Sequence, residues 1–345
     1  MFYNIADKLL TYHEFYKIAI GQRGRGKTTS AITESIKNYV RGGGKFLYIR
    51  RYKSEHDQVH SILKNAITLN NKRNNPWWKK DSKLEVTGSP KKGNGQFLFN
   101  GQVMGQWLTL SMVSTYKSWV FDDYTTIIFD EFIIKKGTHR YLDFDVEDLE
   151  DLVETVFRHN DNPRIRGVIM LSNKITWYNP YFIKWGIRPF KGQIYRDKDR
   201  SIVVEQDYSQ EFADMKYSTR FGQHLKNTAY GNYSIGNEAL IDISKFIEKR
   251  TKNAKPYFNV KYLGKTFGVW LDSNENKLYI SESFDPYMKI EFALTTTDHT
   301  LNTFYIKNKR NCLLNTIIDF YEQGRLFSDT QNVDSVTQEI LKLLI

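Results

Sequence analysis

Residues 21–28 carry the complete pattern G-x-x-x-x-G-K-[ST]. Its glycines let the backbone turn tightly, so that successive N–H groups point at the oxygens of a bound phosphate. The ammonium of Lys27 would reach the β and γ phosphates, and the hydroxyl of Thr28 would bind Mg²⁺. The spacing predicts a site for a nucleoside triphosphate with Mg²⁺, and the residues assigned to it are Gly21, Gln22, Arg23, Gly24, Arg25, Gly26, Lys27, Thr28 and Thr29.

Two acids follow Thr125-Thr126-Ile127-Ile128-Phe129, a β-prone run that predicts a buried strand. Asp130 ends this run, and an acid in that position holds Mg²⁺ in proteins that carry the phosphate loop. Glu131, one residue later, is placed to polarise the water that attacks the γ phosphate. The pair favours hydrolysis over binding alone, against the alternative of a strand that ends in two solvated carboxylates.

The elements around the loop should position these groups. Residues 15–20 form a short β-prone run, and after the loop Ala31, Ile32 and Ile36 recur at helical spacing. Glycines 42–44 end that helix, and residues 45–50 predict the next strand. Strand, loop, helix and strand in this order indicate the βαβ unit that a phosphate loop requires.

A third predicted strand, residues 165–171, ends at Ser172 and Asn173. Asn173 would sense the γ phosphate from there, or one of the two side chains would cap the next turn, and both alternatives stay open. Three apolar strands with polar ends indicate an open α/β sheet whose site lies at the carboxyl edge.

The charge of the chain is positive and unevenly distributed. The 345 residues, enough for about two domains, have a formal net charge of +11. Residues 1–205 hold 33 basic and 22 acidic side chains, residues 206–345 hold 17 of each, and residues 41–120 alone carry 14 basic and 4 acidic ones. One concentrated basic region favours an anionic partner, although a solvated face is the alternative.

Cysteine content and hydropathy narrow the choice of compartment and partner. The single cysteine, Cys312, excludes an internal disulfide and a multi-cysteine zinc site, so we expect a reducing compartment. No apolar run approaches the ~18 residues of a membrane span. We therefore favour nucleic acid over a membrane as the anionic partner.

Taken in order, the motifs resemble those of the genome-packaging ATPases of φ29-like tailed phages, which are terminase-like motors. The residues that carry the resemblance are the loop 21–28, Tyr48-Ile49-Arg50-Arg51-Tyr52-Lys53, Ile128-Phe129-Asp130-Glu131-Phe132-Ile133, Thr155-Val156-Phe157-Arg158, Leu171-Ser172-Asn173, Asn179-Pro180-Tyr181-Phe182, Thr219-Arg220-Phe221-Gly222, Phe246-Ile247-Glu248-Lys249-Arg250 and Phe267-Gly268-Val269-Trp270-Leu271-Asp272. The likeness covers nearly the whole chain, and the later motifs are its specific part, because many NTPases share the loop and the acid pair.

The resemblance implies an α/β fold with three parts. These are an additional-strand P-loop ATPase domain over residues 1–205, a linker domain over 206–245 and a ribonuclease H-like α+β domain over 246–345. It also implies a homo-oligomeric ring, expected to be a pentamer, that docks on the portal of an empty capsid in the host cytoplasm. The ring would use ATP and Mg²⁺ to drive viral double-stranded DNA inward, without a membrane. Its C-terminal domain would contact DNA, the capsid or, as in some relatives, a packaging RNA, and these alternatives stay open.

Two cations resemble groups that act on the neighbouring subunit's nucleotide. Arg158 matches the arginine finger, which would neutralise charge on the transferred phosphoryl group. The local alternative is a surface ion pair with Glu154, four residues earlier on the same predicted helix. Lys117 matches a second such cation, or is an ordinary solvated lysine.

Three cations after the second strand are candidates for DNA contact. Lys53 matches a position facing the central pore, where a motor that grips DNA regardless of sequence needs cations aimed at phosphates. Arg50 and Arg51 would contact DNA as well, or would instead support the nucleotide pocket.

Residues 72–92 interleave aromatic side chains with seven cations. Strands predicted over 84–87, 96–99 and 102–110 make this region a small antiparallel excursion from the main sheet. Its cations would line the pore or face the portal.

The C-terminal part predicts strands over 256–262, 265–271 and 277–283, a fourth near 290–295, and helices near 301–322 and 333–344. Nucleases of the ribonuclease H type hold two metals with several acids. The first strand here carries no acid, and Asp272 ends the second. We therefore expect no nuclease activity.

Two other functions remain open. A ring helicase or a plasmid-transfer translocase would share the ATP site but act on different DNA. A non-hydrolysing, nucleotide-gated scaffold would bind capsid or nucleic acid without turnover, and Glu131 argues against it.

Overall fold

The computed structural model describes residues 3–134, 141–142, 144–158, 164–173, 179–187, 190, 192–226, 228, 231, 247–305, 312–323 and 325–344. The chain divides into two compact units, the first made of Met1–Thr176 and Pro189–Ala239 and the second of Trp177–Arg188 and Leu240–Ile345. The described part of the predicted linker, residues 206–226, 228 and 231, belongs to the first unit. The boundaries at 205 and 245 stay predictions.

The first unit is built on a nine-stranded sheet in the order β3-β4-β5-β2-β6-β7-β1-β9-β8. Its strands are β1 (Tyr16–Gly21), β2 (Lys45–Arg50), β3 (Leu84–Ser89), β4 (Asn94–Phe99), β5 (Gln102–Thr109), β6 (Tyr124–Asp130), β7 (Gly167–Ser172), β8 (Ile194–Asp197) and β9 (Ile202–Asp207). All residues of β6 and β7 are buried, as expected for parallel strands covered on both faces.

The helices, in chain order, are α1 (Lys27–Val40), α2 (Val59–Asn71), α3 (Asp145–Phe157), α4 (Pro180–Lys184), α5 (Gln210–Tyr217), α6 (Arg220–Leu225), α7 (Cys312–Glu322) and α8 (Gln331–Leu344). Helices α1 and α2 cover one face of the first sheet, where Ile32 and Leu63 join a core with Phe46 and Ile128. Helix α3 packs against β6. None of the described helices is both long and apolar enough to cross a bilayer.

The strand order confirms the predicted additional-strand arrangement. Strand β7 pairs in parallel with β1, which leads into the phosphate loop, and with β6, which ends in the acid pair. One strand therefore separates the loop strand from the acid strand. The antiparallel excursion is also confirmed: β3 and β4 pair antiparallel, β4 pairs antiparallel with β5, and β5 joins the main sheet in parallel with β2.

The second unit contains a six-stranded sheet in the order β14-β13-β10-β11-β12-β15. Its strands are β10 (Lys255–Tyr262), β11 (Lys265–Asp272), β12 (Lys277–Ser281), β13 (Glu291–Ala293), β14 (Phe304–Tyr305) and β15 (Leu326–Ser328). An antiparallel meander, β10 to β12, is extended by β13 and β14, which run parallel to β10. This order fits the predicted reduced ribonuclease H-like arrangement.

Two details of the second unit differ from the prediction. The helix predicted over 301–322 is wrong at its beginning, because Phe304 and Tyr305 pair with β13. Strand β15 is absent from the prediction. Both strands are two or three residues long, too short for an alternating pattern to reveal them.

Candidate active site

The phosphate loop joins β1 to α1, as predicted. Gly26 caps α1 in the left-handed conformation (φ 85°), which costs glycine little because it has no Cβ. Gly21 ends β1 at φ 152°, and a Cβ there would lie 2.0 Å from the carbonyl oxygen of Asp207 on the neighbouring strand. Both glycines are therefore needed for the backbone to take this path.

Lys27 and Thr28 open α1. The ammonium of Lys27 is buried and donates a hydrogen bond to the carbonyl of Gln22 within the same loop (2.8 Å). Burial lowers the pKa of Lys27 to about 8, although Asp207 and Asp130 act in the opposite direction. Thr28 donates through Oγ1 to Asp130, with oxygen distances of 3.0 and 3.1 Å.

Asp130 lies at the end of β6, buried among polar groups. Its carboxylate accepts hydrogen bonds from the hydroxyl of Tyr48 (3.0 Å) and from Arg50 (3.2 Å). Burial raises the pKa of Asp130, and Arg50 opposes the rise. The oxygens of Thr28 and Asp130 form a pair of hard donors of the kind that Mg²⁺ prefers, so the residues present fit that metal.

Glu131 leaves the strand in a left-handed conformation (φ 53°). Its N–H donates to Oδ1 of Asp130 (3.1 Å), and its side chain is 47% exposed. Oε2 lies 2.9 Å from Nη2 of Arg50. The second acid is therefore accessible to water beside the first, as the proposed role in hydrolysis requires.

Arg50 and Arg51 are both buried and paired with acids, and DNA contact by either one stays a prediction. Arg50 bridges Asp130 and Glu131. Arg51, the residue after β2, is also buried, and its Nε and Nη2 lie 2.7 and 2.8 Å from the carboxylate oxygens of Asp145. For Arg50 the geometry fits the second alternative, support of the nucleotide pocket, because its guanidinium binds the two acids of the site. Arg51 binds Asp145 and the carbonyl of Phe132 instead.

Asp207 is a site residue that the sequence analysis misses. It is fully buried at the end of β9, its Oδ1 lies 3.0 Å from Nη2 of Arg25 in the phosphate loop, and burial raises its pKa. Strand β9 neighbours β1, so Asp207 meets the loop across a pairing that local sequence does not reveal. Tyr48 was missed as well, although its position near the end of a predicted strand was a signal.

Residues after β9 also hold the loop. The side-chain Nε2 of Gln22 donates a hydrogen bond to the backbone carbonyl of Ser209 (3.3 Å). The backbone N–H of Ser209 donates in return to Oε1 of Gln22 (2.9 Å). Lys216 on α5 donates to the carbonyl of Arg23. The described part of the predicted linker is thus in direct contact with the nucleotide loop.

Comparison with known proteins agrees with this geometry. A family model described as Podovirus DNA encapsidation protein (Gp16) matches residues 1–344. The chain belongs to this family. The DNA packaging protein of Bacillus phage B103 is 32% identical over 336 residues, which cover 97% of this chain and 98% of the relative. That of Bacillus phage phi29 is 32% identical over 343 residues, 99% of this chain and 97% of the relative.

Solved structures of phage DNA packaging proteins are also similar to this chain. The chain in the bacteriophage Phi-29 viral genome packaging motor assembly is 31% identical, with a TM-score of 0.72, and the match covers 100% of this chain and 99% of that one. The N-terminal domain of the DNA packaging ATPase from bacteriophage phi29 is 29% identical over 61% of this chain, with a TM-score of 0.52. The resemblance and the α/β fold expected from it are confirmed.

Both cations assigned to the neighbouring subunit's nucleotide form ion pairs with acids of α3. Arg158 directly follows the helix, is 42% exposed, and has Nη1 3.8 Å from Glu154. Lys117 is exposed, with Nζ 2.8 Å from Asp151. Asp151 and Glu154 are three residues apart and so share one helix face. The structure brings the two cations to that face, and their action on another subunit stays a prediction.

Asn173 and Lys53 lie at the same edge of the sheet as the loop. Asn173 follows β7, the strand between the loop strand and the acid strand, and is half-buried. Lys53 is exposed and begins the 3-10 helix Lys53–Gln58 after β2. Sensing by Asn173 and DNA contact by Lys53 stay predictions.

Proposed function

We propose that this encapsidation protein is an ATP-driven motor that moves double-stranded viral DNA into an empty capsid. The observation that carries the proposal is the convergence of Lys27, Thr28, Asp130 and Glu131 at one edge of the sheet. A scaffold that only bound nucleotide would not need an exposed acid beside the metal-binding acid.

Each residue has a defined task in hydrolysis. Lys27 and the N–H groups of residues 21–28 bind the phosphates, and Thr28 and Asp130 hold Mg²⁺. The bound metal ion would neutralise charge on the phosphate oxygens. Glu131 accepts the proton of the attacking water, and Arg50 holds both carboxylates in position from the buried side.

In the ring, residues of one subunit complete the nucleotide site of the neighbouring subunit. Arg158 of one subunit reaches the nucleotide of its neighbour, which would increase the rate by roughly 10³ to 10⁵, and Lys117 assists it from the same face. We expect five subunits. The ion pairs of Arg158 with Glu154 and of Lys117 with Asp151 are exposed. Such surface pairs contribute about 0–1 kcal/mol, so both cations are able to leave them at little cost.

The partners follow from the family. The relatives are described as DNA packaging proteins, and one solved relative is part of a motor assembly. We therefore propose duplex DNA and the portal as partners, and action in the host cytoplasm on the docked capsid. For the C-terminal domain, a packaging RNA is an alternative partner to DNA and the capsid.

Nuclease activity is not part of the proposal. Asp272 accepts a hydrogen bond from the hydroxyl of Thr251 and from the N–H groups of Asn274 and Glu275. Its oxygens are thus used in a turn. Among the described residues no group of three His, Cys, Asp or Glu side chains is arranged to hold a metal ion.

Phosphate release, measured with purified empty capsids and duplex DNA, tests the proposal, with nuclease-protected DNA scored in the same sample. We expect turnover that DNA stimulates and protection that depends on ATP. Strand separation at a fork would favour a helicase instead. Nucleotide binding without phosphate release would favour a scaffold.

A further inference from the structure

The peptide between Arg23 and Gly24 lies in the middle of the phosphate loop. In a trans peptide the C=O and the N–H point in opposite directions, so the direction of the Arg23 carbonyl fixes that of the Gly24 N–H. Gly24 has φ 85°, and glycine takes positive and negative φ about equally well. This peptide is therefore able to turn over unless another group holds it, and its N–H would then point away from a bound phosphate.

The Arg23 carbonyl is held from outside the loop. It accepts a hydrogen bond from the ammonium of Lys216 on α5. The carbonyl of Arg25, two residues later, accepts one from the backbone N–H of Tyr3 (2.9 Å). Of these two donors only Lys216 is a side chain, so one substitution removes the hydrogen bond to Arg23 and leaves the sequence of the loop intact.

The first turn of α5 fixes this helix at the loop. Ser209 caps the helix, accepting at Oγ from the N–H of Phe212 (3.3 Å), and exchanges two hydrogen bonds with Gln22. Phe212 is buried one turn before Lys216, whose Nζ lies 4.9 Å from the centroid of its ring. A Cβ placed on Gly24 would lie 3.6 Å from Nζ of Lys216 and 3.9 Å from Cζ of Phe212. The cap and the packing of Phe212 therefore place the ammonium of Lys216 beside the loop.

The charge of Lys216 is not neutralised by an acid. Among the residues that the structure describes, no carboxylate lies within ion-pair distance of its Nζ, whereas Arg25 lies 3.0 Å from Asp207. Burial and the like charge of Arg23 lower the pKa of Lys216. Like charges brought together disfavour the folded chain but attract a phosphate anion, so this arrangement suits the bound nucleotide.

We propose that Lys216 is a positioning residue for nucleotide binding, which holds the Arg23 carbonyl and so keeps the N–H of Gly24 directed at the phosphates. In this role it does not touch the reacting atoms, so it should change how tightly ATP is bound and not how fast bound ATP is hydrolysed. The inference rests on the proposed function and adds to it a residue of the predicted linker. A movement of α5 that withdrew Lys216 would lower the affinity for ATP.

The test compares three variants of the full chain. Lys216→Met removes the ammonium but keeps an unbranched side chain over Phe212, and Lys216→Arg keeps a cationic donor. Lys226→Met is the matched control, because Lys226 is an exposed lysine that directly follows α6. Titration of fluorescent ATP and ADP analogues gives the affinities, and phosphate release gives KM and kcat.

We expect Lys216→Met to lower the affinity for ATP and ADP about tenfold, as the loss of one hydrogen bond from a charged donor does. The loss should be equal in Mg²⁺ and in EDTA, because no metal ligand is changed. KM should rise while kcat stays within about twofold. Lys216→Arg should recover part of the affinity, and Lys226→Met should match the unsubstituted chain.

Two results would overturn the proposal. One is an unchanged affinity in Lys216→Met, or an equal loss in Lys226→Met. The other is a fall in kcat without a loss of affinity, which would place Lys216 on the reacting phosphate.

Nuclear magnetic resonance detects the direction of the peptide itself. Labelling arginine with ¹³C at the carbonyl and glycine with ¹⁵N selects the four Arg-Gly pairs of the chain, at 23–24, 25–26, 41–42 and 166–167. The signal lost in Arg23→Lys belongs to Gly24. Saturating ADP should shift this signal in the unsubstituted chain and not in Lys216→Met, and the same shift in both proteins would refute the positioning role.

Failure of the motor is a separate outcome. An unsubstituted chain that binds ATP but releases no phosphate would refute the proposed hydrolysis. The affinities and the Gly24 signal would still decide the role of Lys216, because neither depends on turnover.

Discussion

The hydroxyl of Thr28 donates to the carboxylate of Asp130 (3.0 Å), joining the phosphate loop to the acid strand across the strand between them. Because the oxygens of Thr28 and Asp130 are hard donors, these two side chains should be the protein's ligands for Mg²⁺. We predict that Asp130→Asn lowers nucleotide affinity at least tenfold in Mg²⁺ but little in EDTA, since only the metal contact is weakened. Titration of a fluorescent ATP analogue under both conditions measures this.

Thr28→Ser is the matched control for that experiment, because it keeps the hydroxyl. Equal losses for Asp130→Asn in Mg²⁺ and in EDTA would mean that the acid supports the fold of the loop and not the metal.

Glu131→Gln should bind ATP within about threefold of the unsubstituted affinity, because an amide of the same shape fills the same place. Turnover should fall roughly 10²- to 10⁴-fold, the range that a general base contributes. Single-turnover phosphate release measures the effect. Unchanged turnover would contradict the role assigned to Glu131.

ATP binding should weaken as pH rises above about 8, where the buried Lys27 loses its proton in the free protein. Bound phosphates favour the charged ammonium and raise its pKa, so binding near pH 8.5 should take up a proton. Between pH 8 and pH 9 we expect about a fivefold loss of affinity from this one group. Calorimetry in two buffers with different ionisation enthalpies reports the proton.

Lys27→Arg supplies the control, because its guanidinium stays charged over this range. Its affinity should not change between pH 8 and pH 9. The same decline in both proteins would assign the titration to another group.

Arg158→Ala should lose about 10³-fold or more in turnover if the residue acts as an arginine finger. Mixing it with Lys27→Ala subunits should restore part of the rate, because those subunits lack a working loop but still present Arg158. Glu154→Gln, which removes only the local ion pair, should keep nearly full turnover. A rate that does not depend on mixing would refute action between subunits.

The sequence predicts the loop, the acid pair and the strands that lead into them well, because each is a local pattern in the chain. The additional-strand order of the sheet follows from the family resemblance, since strand pairing is a long-range property. The sequence does not predict which groups Arg50 and Arg51 contact. Both assignments are open from the sequence, because the acids that bind the two arginines, Asp130 and Asp145, lie 80 and 94 residues further along the chain. Asp207 depends in the same way on the pairing of β9 with β1.

Glu131 occupies a left-handed backbone position (φ 53°) at the end of β6. Side chains other than glycine are disfavoured there by about 1 kcal/mol or more, because Cβ approaches a carbonyl oxygen. Stability alone would thus favour glycine or asparagine, whereas the proposed role in hydrolysis requires an acid. Selection for stability and selection for ATP hydrolysis would therefore favour different residues at position 131. A descendant released from the need to turn over ATP should lose its glutamate here early, while the buried strands around it persist.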